Sequence, residues 1–187
     1  MPELILASQS PRRRELLTVA GFHFSVRAKP IEEVREDAED PVLYVRRLAR
    51  AKAAAAWERP GEIILCADTT VAIDDQVLEK PADKNDASAM LRLLSGRDHT
   101  VITGICLMHD RGAIVDHSST IVRFAPLTDS EIEDYVASGE PMDKAGAYAI
   151  QGLASKFVEK IDGCYFNVMG LPLSLFYRHW KMLTAPE

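Results

Sequence analysis

The sequence predicts an α/β fold, and three observations carry that prediction. Two short apolar runs, residues 4–7 and 63–67, read as buried strands. Longer stretches between and after them repeat apolar residues at helical spacing, so strand and helix patterns alternate instead of segregating. No internal repeat, low-complexity tract or linker divides the chain cleanly, which favours one continuous architecture over residues 1–187.

The elements follow in order. After the first strand, Ser10 is a good N-cap, Pro11 suits the first helical position, and Glu15, Leu16 and Leu17 continue helically. Phe22, Phe24 and Val26 alternate as a half-buried strand that leads into a polar stretch at Glu32 and Glu33. Asp40 and Pro41 start a long helix with a buried stripe of Val45, Leu48, Ala49, Ala53, Ala56 and Trp57, ended by Pro60 and Gly61. The central strand at 63–67 ends abruptly in Asp68, Thr69 and Thr70. Apolar sequence resumes at 71–73, and Asp74-Asp75-Gln76 turns the chain into Val77 and Leu78. Ala87, Met90, Leu91 and Leu94 mark a core-facing helix started by Asn85 and stopped by Gly96. Residues 101–107 and 114–124, split by Asp110-Arg111-Gly112, form a long antiparallel hairpin. Thr128 and Glu131 make a capping box for a helix through Val136, and Pro172 starts a last amphipathic helix.

Composition narrows the function. A chain of 187 residues that is 47% hydrophobic and 27% charged is a globular protein with a real core. Its net charge of −6 and lack of an extended basic run argue against nucleic acid as a partner. No charged-then-apolar leader precedes the first strand, and no apolar stretch approaches the ~20 residues that span a bilayer, so neither secretion nor a membrane partner is indicated. Cys66, Cys106 and Cys164 are odd in number and widely spaced in apolar surroundings, which suits reduced core thiols and a cytoplasmic location.

Against that acidic background, Arg12, Arg13 and Arg14 fall on the first turn of a helix, the end where the macrodipole favours negative charge. Three cations there call for a small anionic ligand such as a phosphate. Lys52 lies inside an apolar stripe and must either snorkel to the edge or reach a partner. Asp68, at the carboxyl end of a buried strand, is the best single candidate for a catalytic or metal-binding acid. Lys80 precedes Pro81, which holds its backbone extended. Residues 140–170 are rich in glycine and small polar residues, so backbone there approaches something closely. Gln151 carries within that stretch an amide able to read a nucleobase edge. His99, His109 and His117 lack metal-ligand spacing.

The segments LILASQSPRRRELL, CADTTV, VLEKP, DKAGAYAIQG and VMGLPL occur in the order found in the Maf family, which the chain resembles over nearly its whole length. The resemblance implies a Maf/ITPase-like α/β fold: a long mixed β-sheet flanked by helices, with two lobes around a central cleft. It implies a nucleoside triphosphate pyrophosphatase that cuts between the α and β phosphates with a divalent metal, Mg2+ or Mn2+. By position, Ser8, Arg12 and Arg13 fall in the phosphate-binding turn and Asp68 becomes the catalytic acid. Glu33, Lys52 and Lys80 match other polar positions of the cleft, with Glu33 and Asp68 expected on the metal. Arg12, Thr69 and Gln151 match positions associated with substrate choice. Threonine after the aspartate and the IQG segment resemble the branch acting on dTTP and UTP; a branch acting on 7-methyl-GTP carries other residues there. Gln9 departs from the family, where glycine is frequent. The resemblance also extends the expectation to a homodimer. A nucleotide-sensing binding protein tied to arrest of cell division is the alternative of a different class, and retention of Asp68 and Glu33 weighs against it.

Overall fold

The apolar runs become neighbouring strands. The computed structural model describes residues 2–185, and in it β1 (Glu3–Leu6) pairs in parallel with β3 (Glu62–Ile73), Leu4 opposite Ile63 and Leu6 opposite Leu65. The remaining strands are β2 (Ser25–Val26), β4 (Gln76–Leu78), β5 (Asp98–His109), β6 (Gly112–Phe124) and β7 (Val158–Asp162). They form one mixed seven-stranded sheet in the order β2-β1-β3-β5-β6-β7, with β4 paired to β3. The helices are α1 (Pro11–Val19), α2 (Pro41–Ala56), α3 (Lys84–Leu94), α4 (Asp129–Ala137), α5 (Tyr165–Val168) and α6 (Leu173–Thr184). None is long and apolar enough to cross a membrane.

The described chain divides into two compact units. The first comprises residues up to Asp68, Thr103–Ser118 and the chain from Gly170 onward. Its core is built on small side chains: Ala49, Ala53 and Ala56 of α2 pack with Ile5, Ile64, Cys66 and Cys106. A Cβ on Gly104 of β5 would sit 2.5 Å from the Val45 backbone, so α2 lies on the sheet as closely as a bare backbone permits. That proximity lets a lysine on α2 reach a strand. The α2 N-terminus is set as expected, with Asp40 Oδ1 accepting from the amides of Val42 and Leu43. α6 is held by His179, whose Nε2 pairs with Asp116 at 2.8 Å.

The second unit, Thr69–Ile102 with Ser119–Met169, packs α3 and α4 around a separate core that includes Val71, Leu91, Phe124, Ile132, Tyr148 and Phe157. The capping box of α4 forms in both directions: Thr128 Oγ1 accepts from the Glu131 amide, and Glu131 accepts from the Thr128 amide at 2.8 Å. Thr128→Ala removes one half of it and is expected to lower stability by about 1 kcal/mol, read as a shift of the urea midpoint.

Several sequence expectations change. β3 does not end at Asp68 but runs on through Ile73, because the β-branched Thr69 and Thr70 suit a pleated ladder. Phe22, Phe24 and Val26 do not form a strand together; only Ser25 and Val26 pair with β1, and both are exposed. Phe22 turns instead to α6, its ring 4.9 Å from Phe176 and 5.7 Å from Trp180. Ser10 sits at the N-cap of α1 without a side-chain cap. α3 starts at Lys84 under Asp83, whose carboxylate accepts from the Asp86 amide, and not at Asn85. All three cysteines are free. Burial pushes the Cys66 thiol up to about 11 and the Cys106 thiol to about 12, whereas Cys164 is only half-buried.

Candidate active site

The turn after β1 is organised by Ser8, not by Ser10. The buried Ser8 hydroxyl oxygen accepts from the Ser10 amide at 3.2 Å and from Arg13 Nη1 at 3.1 Å. Arg13 Nε donates to the Gly170 carbonyl at 2.8 Å, so the half-buried guanidinium is gripped on two sides. Gly170 has φ +102°, a conformation that favours glycine, and no sequence pattern links it to an arginine 157 residues away. Burial draws the Arg13 guanidinium below its ordinary value, against the attraction of Asp68 and Glu33. Arg12 beside it is half-buried and Arg14 is exposed. The first turn of α1 therefore has one arginine locked in place and another next to it.

Lys52 resolves the choice between snorkelling and pairing. Its Nζ lies 2.5 Å from Asp68 Oδ1 and 2.8 Å from Glu33 Oε2, bridging the two carboxylates. Side-chain exposure is 15% for Lys52 and 11% for Asp68 but 49% for Glu33, so the bridge has a buried end and an open end. Burial lowers the Lys52 ammonium, but Asp68 and Glu33 outweigh that and hold it above the usual lysine range. Lys52 is thus charged across the physiological range. Its helix provides the reach, and the loop before that helix delivers Glu33.

Ser8, Arg12, Arg13, Glu33, Lys52 and Asp68 all belong to the first unit. Thr69, Lys80 and Gln151 belong to the second: Thr69 is half-buried, and Lys80 and Gln151 are exposed. The Gln151 segment is shaped by Glu140, whose carboxylate accepts from Tyr135 Oη at 2.9 Å and from the Leu153 amide at 3.1 Å. A Cβ on Gly152 would meet that carboxylate at 2.4 Å, and one on Gly146 would meet Val71 at 2.7 Å. The close approaches expected in this glycine-rich stretch are therefore real, and they are made to the protein's own side chains.

Among the described residues, no group of three or more His, Cys, Asp or Glu side chains is arranged to hold a metal ion. Asp68 and Glu33 nevertheless supply hard carboxylate oxygens bridged by one ammonium. Such a pair fits Mg2+ or Mn2+ when phosphate oxygens and water complete the coordination, as is usual for Mg2+ bound with a nucleotide.

Residues 3–183 match the family model of the Maf-like proteins. The chain belongs to the Maf-like protein family. A dTTP/UTP pyrophosphatase of Koribacter versatilis is 52% identical over 94% of this chain and 91% of that protein. A second dTTP/UTP pyrophosphatase, from Symbiobacterium thermophilum, is 50% identical over 98% and 94%. A solved structure described as a nucleoside-triphosphatase / dITP/XTP pyrophosphatase from Mycobacterium abscessus aligns with 67% of this chain and 75% of that one, at 16% identity and a TM-score of 0.42.

Proposed function

We propose that this Maf-like protein hydrolyses dTTP and UTP to the nucleoside monophosphate and pyrophosphate in the cytoplasm, with Mg2+ or Mn2+ as cofactor. The observation that carries the reading is the Lys52 bridge between Glu33 and Asp68 in the unit that also holds the Arg13 turn. A charged lysine, two carboxylates and a fixed arginine are what a triphosphate-cleaving site needs. The cations neutralise charge on the phosphates, and a carboxylate handles the proton of the attacking water.

In this mechanism Arg13 and Arg12 bind triphosphate oxygens. Ser8 and the Gly170 carbonyl keep Arg13 pre-oriented, so little ordering is left to do when substrate arrives. Asp68 accepts a proton from water as its oxygen attacks the α phosphorus, and the bond to the β-phosphate oxygen breaks in line. Lys52 neutralises charge as it shifts to the leaving pyrophosphate. Glu33 and Asp68 would hold a divalent metal, which would supply Lewis-acid stabilisation of the phosphate oxygens. Lys80 adds a further phosphate contact, and Arg12, Thr69 and Gln151 select the nucleotide.

The test is pyrophosphate release from dTTP, UTP, CTP, GTP and 7-methyl-GTP with Mg2+ or Mn2+. Turnover concentrated on dTTP and UTP is the expected result. Preference for 7-methyl-GTP overturns the substrate assignment, and tight nucleotide binding without turnover of any of the five overturns the reaction.

A further inference from the structure

The geometry points to Arg47 as a positioning residue for Glu33, acting through a latch that closes the loop between Glu33 and Glu39. This inference rests on the reading of Glu33 as part of the reacting site. Arg47 lies on α2, the helix that also carries Lys52. Its Nε donates to Glu39 Oε1 at 2.7 Å, and its Nη2 donates to Glu39 Oε2 at 2.6 Å and to the Val34 carbonyl at 3.0 Å. One guanidinium thus holds both ends of the loop. The pairing is bidentate, which fixes direction as well as distance.

The rest of the loop is built around the same carboxylate. Glu39 is 9% exposed at its side chain and also accepts from the Glu36 amide at 3.2 Å, while Arg35 Nε donates to the Glu39 carbonyl at 3.1 Å. Ala38 takes φ +55°, a conformation that a non-glycine residue keeps only where its surroundings hold it. Tyr44, one turn before Arg47 and itself buried, donates from Oη to the Glu33 carbonyl at 3.4 Å. α2 therefore grips Glu33 three ways: Tyr44 at its own carbonyl, Arg47 at the next carbonyl, and Lys52 at its carboxylate.

Glu33 needs such help because its carboxylate is half exposed and hangs on a segment without regular secondary structure. Without the latch the Lys52–Glu33 contact would be an ordinary exposed ion pair, weak and easily exchanged for water. With it, the spacing of Glu33 to Lys52 and Asp68 is set before any ligand binds. Groups that orient metal-binding carboxylates in this way carry measurable weight in affinity and rate.

The experiment is a double-mutant cycle in the full-length protein: Arg47→Met, Glu33→Gln and both together, with Glu39→Gln as a second way to open the latch. Two quantities are read: kcat for dTTP, and Mn2+ binding by electron paramagnetic resonance in the presence of the non-cleavable α,β-imido-dUTP. Arg47→Met and Glu39→Gln are each expected to weaken Mn2+ binding and lower kcat by about 10- to 100-fold. In the Glu33→Gln background, Arg47→Met is expected to add nothing, because the residue it positions is already disabled. Additive losses, or variants that melt at lower temperature while binding Mn2+ like the wild type, overturn the proposal. Absence of dTTP turnover in the wild type is a failure of the functional reading, and the Mn2+ arm then still decides the latch because it needs no turnover.

Discussion

Asp68→Asn is expected to reduce pyrophosphate release from dTTP by about 10²- to 10⁴-fold, the range set by loss of a positioned general base. Asparagine keeps the shape of the side chain and removes the two properties the reaction uses, the negative charge and the capacity to take a proton. The architecture of the site should survive. Arg13 is held by Ser8 Oγ and the Gly170 carbonyl, and neither contact involves Asp68. Lys52 keeps Glu33 as a partner at 2.8 Å, so the substitution does not strand a buried ammonium. The signature is therefore a collapse of kcat, with a raised Mn2+ requirement from the lost carboxylate and an unaltered circular dichroism spectrum. A variant within ten-fold of wild-type kcat would remove Asp68 from both proton transfer and metal binding and leave it as the counter-ion of Lys52.

The polar break after residue 67 reads in the sequence as the end of a strand, yet the ladder continues for five more residues beyond Asp68. The break marks where a buried strand begins to carry functional polar side chains, and threonine disguises the continuation because it suits both turns and strands. Local signals were legible where the interaction partners are close in sequence. The Asp40 cap, the Thr128–Glu131 box, the turn at Asp74 and the 109–112 hairpin turn all depend on partners within a few residues. The Arg13–Gly170 contact spans 157 residues and uses a backbone carbonyl, so no side-chain pattern announces it. Phe22 is apolar and spaced like a strand residue, but its partners on α6 lie more than 150 residues further along and only tertiary packing selects them. Lys52 was legible as an anomaly, a cation in an apolar stripe. Which of its two outcomes prevails depends on how closely α2 sits on the sheet, and that is decided by Gly104 and the alanines. Arg47 carried no signal at all, since an arginine on a helix looks like a solvated surface until the loop it clasps is in view.

Acid should weaken this protein in two separable steps, and His99 is responsible for the first. Its ring is 2% exposed, packed edge-on against Phe124 and Tyr148, with Nε2 2.8 Å from the Tyr148 hydroxyl. Burial lowers the imidazole from 6.5 to about 4, against a small opposing pull from Asp98. A histidine so lowered binds its proton more readily in the unfolded chain. Its contribution to stability is complete above pH 6.5 and is lost as the pH falls toward 4. A shift of that size corresponds to about 3 kcal/mol, most of it gone by pH 4.5. Glu62 acts lower: the hydrogen bond from Arg27, reinforced by Arg59, holds its carboxyl down from 4.5 to about 2, so its stabilising effect disappears only below pH 4.5. Urea unfolding between pH 6.5 and 4.5 isolates the histidine step. His99→Gln keeps a hydrogen-bonding group for the Tyr148 hydroxyl and cannot titrate, so it is expected to flatten the stability profile across that interval while leaving the steeper loss below it. A variant as acid-sensitive as the wild type between pH 6.5 and 4.5 would place the titrating group elsewhere.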